Sequence, residues 1–178
     1  MASDLSFEEL LGSSCSKIAL SIAIDEVCRH PHRVHELVGI AKSTAPYAWR
    51  AAWALAHLNE QAPGMLVGLS HDVQQLFLST SSYSIKRELL KVLRSQPLPD
   101  GDVGGELLDV CFTLSQSGVA PVGLRMYALD MVYRFCVVYP ELKPELVAVL
   151  EDIVAEPPSV GIKGWAKRLL LQLAKLNE

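Results

Sequence analysis

Four basic residues, Arg50, Arg87, Arg125 and Lys163, recur at intervals of 37, 38 and 38 residues, each within an apolar, helix-like stretch. The fullest of these stretches, residues 45–60, reads APYAWRAAWALAHLNE. Its alanines allow close approach to neighbouring helices, and Trp49, Trp53, Leu55 and Leu58 fall at helical spacings. Related stretches follow at Ile85-Lys86-Arg87-Glu88-Leu89-Leu90, at Leu124-Arg125-Met126-Tyr127-Ala128-Leu129 and at Ile162-Lys163-Gly164-Trp165-Ala166. A near-constant period of this length marks a repeat array. One such unit cannot bury its apolar face alone, so the chain must stack its units on one another.

The chain breakers divide the sequence into pairs of helices. Residues 3–12 are predicted to form a first helix, with Ser6 and Glu9 matching a capping box and Gly12 ending it. Residues 14–28 form a second. The regular pairs are then 33–42 with 45–60, 65–78 with 82–95, 102–115 with 121–138, and 145–156 with 161–177. Pro31 suits a first helical turn. Pro63-Gly64, the run at 96–101, Pro140, Pro144 and Pro157-Pro158 supply the breaks. No alternating β-branched run flanked by hairpin turns occurs. The expectation is an all-α fold, an α–α superhelix of the HEAT/armadillo-like solenoid kind built from antiparallel helix pairs. Residues 1–178 read as a single domain, with 1–29 as N-terminal cap helices and 30–178 as about four pairs. The second helix of each pair is expected on the inner, concave side.

Further residues carry a family resemblance, over about residues 33–170. They are Arg50-Ala51-Ala52-Trp53, Lys86-Arg87 before Leu90, Val110-Cys111-Phe112, Tyr127-Ala128-Leu129, and Tyr139-Pro140-Glu141-Leu142 followed by Glu145-Leu146. The closing stretch from Gly161 to Lys167 completes the set. In these the chain resembles a family of small HEAT-like repeat proteins common in Bacteroidetes. The resemblance implies the α–α superhelix and no particular chemistry. Gly164-Trp165 departs from the family pattern, where a basic or small polar residue is expected.

Composition narrows the class. Half of the 178 residues are apolar, 20% are charged, and the net charge of −4 is unlike that of a nucleic-acid-binding arm. The apolar runs are too short to span a bilayer. The segment Met1-Ala2-Ser3-Asp4 lacks the basic region of a signal peptide, so a cytoplasmic protein with no membrane contact is expected. Cys15, Cys28, Cys111 and Cys136 form no CxxC pair and read as small buried hydrophobes.

No motif for nucleophilic, phosphate or metal chemistry is present. His30, His32, His35 and Glu36 crowd a helix start but read as a solvated polar turn rather than a zinc site. Asp100-Gly101-Asp102 lacks a calcium-loop glutamate at position twelve, which is Cys111, and Asp102 reads as a helix cap. No catalytic residue, metal or cofactor is therefore expected, and the chain reads as non-enzymatic.

Charge is segregated between the layers. The second helices, taken as 45–60, 82–95, 119–138 and 159–177, hold eleven basic residues against three acids, net +8. The remainder holds five against seventeen, net −12. Two readings of the recurring cations follow. In one, each bonds a carbonyl or acid of an adjacent repeat and fixes the stacking. In the other, Arg50, Arg87, Arg125 and Lys163 line the concave face and, with Trp49 or Trp53 as anchor, bind an acidic segment of a protein partner. A nucleic-acid-binding protein related in architecture to DNA glycosylases is the alternative, with Asp130 near Tyr127 as its sole carboxylate candidate. The tryptophans are expected to lie mostly in the core.

Overall fold

The computed structural model describes residues 6–155 and 160–176. The parts of the expected helices that fall at 3–5, 156 and 177, and the Pro157-Pro158 break, lie outside these residues. Ten α-helices and no strand occur among the described residues: α1 (Phe7–Ser13), α2 (Lys17–Arg29), α3 (Val34–Lys42), α4 (Ala48–Gln61), α5 (Ser70–Ser79), α6 (Tyr83–Leu93), α7 (Gly101–Gln116), α8 (Val122–Val138), α9 (Lys143–Ala155) and α10 (Val160–Lys175). The fold is an all-α solenoid of antiparallel pairs. It divides into two compact units, Met1–Pro97 and Leu98–Glu178.

Serines start α1, α2 and α6 of the first unit. Ser6, Ser16 and Ser82 accept from the backbone N–H three residues on, at 3.2, 3.1 and 3.4 Å, satisfying donors that a helix start leaves orphaned. Within this unit each first helix packs against its partner, α3 on α4 and α5 on α6, while α2, α4 and α6 pack side by side as a second layer. Ala48, Ala51, Ala52, Ala54 and Ala56 are buried and let α4 sit close to three neighbours. Leu37, Leu55, Leu58, Phe77, Leu89 and Leu90 fill the space between the layers. A partly buried polar chain ties the ends of α4 and α6. Asn59 Nδ2 donates to Ser95 Oγ at 2.7 Å, Gln96 Nε2 donates to Asn59 Oδ1 at 3.0 Å, and Ser70 Oγ donates to Gln96 Oε1 at 3.0 Å. Since Asn59 nears the end of α4 and Ser95 and Gln96 just follow α6, the two helices run in the same direction.

In the second unit α7 packs on α8 and α9 on α10, with α8 beside α10. Leu107, Cys111, Leu124, Leu129, Leu146 and Leu150 form its core. Gly104 lies against Pro99, whose carbonyl oxygen would stand 2.5 Å from a Cβ at that position.

Four expectations are corrected. The stretch predicted to be helical from Met65 begins as a 3-10 segment, Pro63–Leu69, and becomes α-helical only at Ser70. Gly64, Val67 and Gly68 are weak helix formers, and the tighter turn tolerates them. Asp102 does not cap α7. The left-handed φ of Gly101, +62°, turns the chain one residue earlier, so Asp100 takes the cap position and Asp102 joins the first turn. Cys15 and Cys28 are exposed, because Cys15 precedes the cap of α2 and Cys28 faces away from the apolar side of α2. Cys111 and Cys136 are buried, and burial pushes the Cys136 thiol up to about 11. Finally, Trp49, Trp53 and Trp165 are half-buried rather than core.

Candidate functional site

Helical phase divides α6 into two stripes. Ile85, Glu88, Leu89, Val92 and Leu93 turn inward with Lys86. Arg87 and Lys91, four residues apart, hold the solvent side. On the neighbouring and parallel α4, Trp49, Trp53 and His57 fall at the same four-residue spacing and are all half-buried. The two indoles stack at a centroid distance of 6.3 Å and an interplanar angle of 26°, and His57 meets Trp53 edge-on at 5.5 Å. His57 Nδ1 lies 3.0 Å from Glu60 Oε2. Thus α4 carries a half-buried aromatic row, and α6, which packs against it, carries cations on its solvent side.

The recurring cations do different jobs. Arg50 donates from Nη1 to the carbonyls of Leu11 and Gly12 at the end of α1, the latter at 3.3 Å, and its guanidinium lies 5.6 Å from the Trp49 ring. Its Nε is buried without a bonding partner. Arg125 is 8% exposed, and its Nε donates at 2.9 Å to the Ser115 carbonyl at the end of α7. Both therefore satisfy carbonyls that a helix end leaves orphaned, as a cation at a C-terminus also suits the dipole. In the third case the fastening falls to Lys86, not Arg87. Lys86 Nζ donates at 2.7 Å to the Phe77 carbonyl near the end of α5 and sits 4.6 Å above the Phe77 ring. Arg87 instead reaches Glu88. Lys163 is half-buried on α10. Arg50 and Arg87 belong to the first unit, Arg125 and Lys163 to the second.

Sequence reasoning missed Lys86 because its spacing from Arg50 is close to that of Arg87. The signal that separates them is phase: Lys86 shares a stripe with Leu90 and Leu93, Arg87 with Lys91 and Arg94. The difference has a measurable consequence. Lys86→Met strands a buried carbonyl and is expected to cost about 1–3 kcal/mol of stability. Arg87→Lys, which keeps a cation on the solvent side of Glu88, is expected to cost under about 1 kcal/mol. Urea unfolding of the two variants checks this; equal losses would contradict the assignment.

In the second unit Asp130 is the centre of a smaller cluster. Its Oδ1 accepts from Trp165 Nε1 at 2.8 Å and lies 3.8 Å from Arg168 Nη2, while the Arg168 guanidinium stacks 3.6 Å from the Trp165 ring. That oxygen holds the indole of α10 against α8.

The polar turn before α3 is also a fastening. Arg33 pairs with Glu26 at 2.9 Å and Glu36 at 2.8 Å and covers the Phe7 ring at 4.3 Å. The bond to Glu36 raises the Arg33 pKa above its ordinary value despite desolvation, and that same bond holds the Glu36 carboxyl below the usual carboxylate range. His30, His32 and His35 are exposed around it. Among the described residues no three His, Cys, Asp or Glu side chains converge as a metal site, and no helix is long and apolar enough to cross a membrane.

A family model described as a HEAT repeat domain matches residues 7–173. Comparison with curated proteins and with solved structures gives no match.

Proposed function

The chain belongs to the HEAT repeat domain family, and from that premise we propose that it is a non-enzymatic interaction module taking an acidic segment of a protein partner on the solvent side of α4 and α6. HEAT repeats are commonly protein-interaction scaffolds and typically non-catalytic. The observation that carries the finer reading is the stacked, half-buried Trp49–Trp53 pair on the helix beside Arg87 and Lys91. Partly exposed aromatic residues supply large apolar contact at low entropic cost and anchor partners. Cations beside them select acidic segments and speed encounter. Within the set of cations, Arg87 meets the partner directly and Arg50 supports Trp49 from behind. Arg125 acts on the fold, through Ser115. Lys163 joins Lys167 and Arg168 as the basic group of α10, apart from this site. The cytoplasm, expected from the sequence, is the compartment of this reading.

The test is a fluorescence-anisotropy titration with three labelled probes: a glutamate-rich peptide, a glutamine-rich peptide of equal length, and duplex DNA. The acidic peptide is expected to bind in preference to the other two. Arg87→Glu is expected to weaken it roughly tenfold, about 1.4 kcal/mol, with helical circular dichroism unchanged. Equal binding of the neutral peptide would overturn the acidic specificity. DNA binding that falls steeply with salt would replace the reading with nucleic-acid recognition.

A further inference from the structure

We propose that Glu88 is a positioning residue that holds Arg87 and Lys91 as a preformed carboxylate-binding pair, an inference that rests on the reading of the α4–α6 face given above. Glu88 is an acid in a place meant for an apolar residue. It is 1% exposed and flanked on the inward stripe of α6 by Ile85, Leu89 and Val92. Both of its oxygens are occupied. Oε1 accepts from Arg87 Nε at 3.0 Å and from Arg87 Nη2 at 2.8 Å, and Oε2 accepts from Lys91 Nζ at 2.7 Å. The cations are not buried with it: their side chains are 46% and 24% exposed.

This layering fixes what the group can do. A carboxylate removed from water is strongly unfavourable unless paired, so either cation that swings away leaves one buried oxygen of Glu88 without its donor. Two long side chains that would otherwise sample many rotamers are thereby ordered before any partner arrives. Ordering each on binding would oppose association, and holding them in advance removes that opposition. The triad also keeps a net charge of +1, with the negative end beneath and the positive ends toward solvent. An approaching carboxylate therefore meets the cations first. A surface pair of a lysine and an arginine alone would have the charge without the geometry; a pair cancelled by an exposed acid would have neither.

The two views differ in the sign of one effect. Glu88→Gln removes a negative charge from the site. If charge alone governs, the variant binds the glutamate-rich peptide more tightly. If Glu88 positions the cations, it binds more weakly, by roughly tenfold, despite the added positive charge. Arg87→Lys gives the same test with charge conserved: it loses the two-donor fork on Oε1 and is expected to weaken binding in the same direction. Circular dichroism and thermal melts accompany both variants. Should Glu88→Gln fail to fold, Arg87→Lys decides the question. Weakening in the folded variants supports the proposal. Binding by folded Glu88→Gln that equals or exceeds the wild type overturns it, and so does undiminished binding by Arg87→Lys. A wild-type protein that does not bind the peptide at all overturns the parent reading, a result distinguishable from these because it appears before any variant is made.

Discussion

Phe77→Ala is expected to destabilise the first unit by about 3–5 kcal/mol, the largest effect of any single truncation considered. Phe77 is fully buried near the end of α5, among the largest side chains of the core. Its loss opens a cavity in the core. Its ring also lies 4.6 Å beneath the Lys86 ammonium, whose Nζ bonds the carbonyl of the same residue. Truncation therefore removes apolar burial and a cation–π contact at one point, and the surviving ammonium is left above a void. Urea unfolding followed by hydrogen exchange checks the prediction, with lost protection expected first in α5 and α6. A loss below about 1 kcal/mol would mean that the core here repacks freely.

Arg125→Glu is expected to rank with it, at about 3–5 kcal/mol in the second unit. Arg125 is buried, and its Nε reaches the carbonyl of Ser115, itself fully buried and bonded through Oγ to the Phe112 carbonyl at 2.7 Å. A carboxylate at this place would face carbonyl oxygens at the negative end of α7, with no cation brought in to offset it. Arg125→Gln, which keeps a donor, is expected to lose much less. A thermal melt of the two variants separates the cases: near-equal melting temperatures would show that the bond to Ser115 contributes little.

These two residues show how far the sequence can be read. The serine-opened starts of α1 and α6 and the break at Pro63-Gly64 were legible because these signals act locally, within three or four residues of the positions they fix, whereas the α-helical start at Ser70 was not. The pairing into a solenoid was legible from the repeat period. Which cation faces inward was not legible from the period alone. Lys86 and Arg87 are adjacent, both keep the spacing to Arg50 within one residue, and only helical phase assigns one to the Phe77 carbonyl and the other to solvent. Arg50 was harder still, because its acceptors, the carbonyls of Leu11 and Gly12, lie 39 and 38 residues away in a different pair. The acid Glu88 gave no warning of its burial, since its neighbours Arg87 and Lys91 make it look like part of a solvated charge run. The tryptophans misled in the other direction. Trp49 and Trp53 fit an apolar helical stripe, yet the alanines of α4 do the burying and leave the indoles at the margin.

The central claim is that an acidic partner docks on the α4–α6 face of the first unit. The chain contains three tryptophans, Trp49, Trp53 and Trp165, so an indole nitrogen–hydrogen correlation spectrum has three signals to follow. Two sit in the candidate site, and the third is bonded to Asp130 in the other unit. Titration with the glutamate-rich peptide is predicted to shift the Trp49 and Trp53 signals together, in proportion to bound peptide, and to leave Trp165 in place. A shift of Trp165 alone, or binding that moves none of the three, would contradict the account.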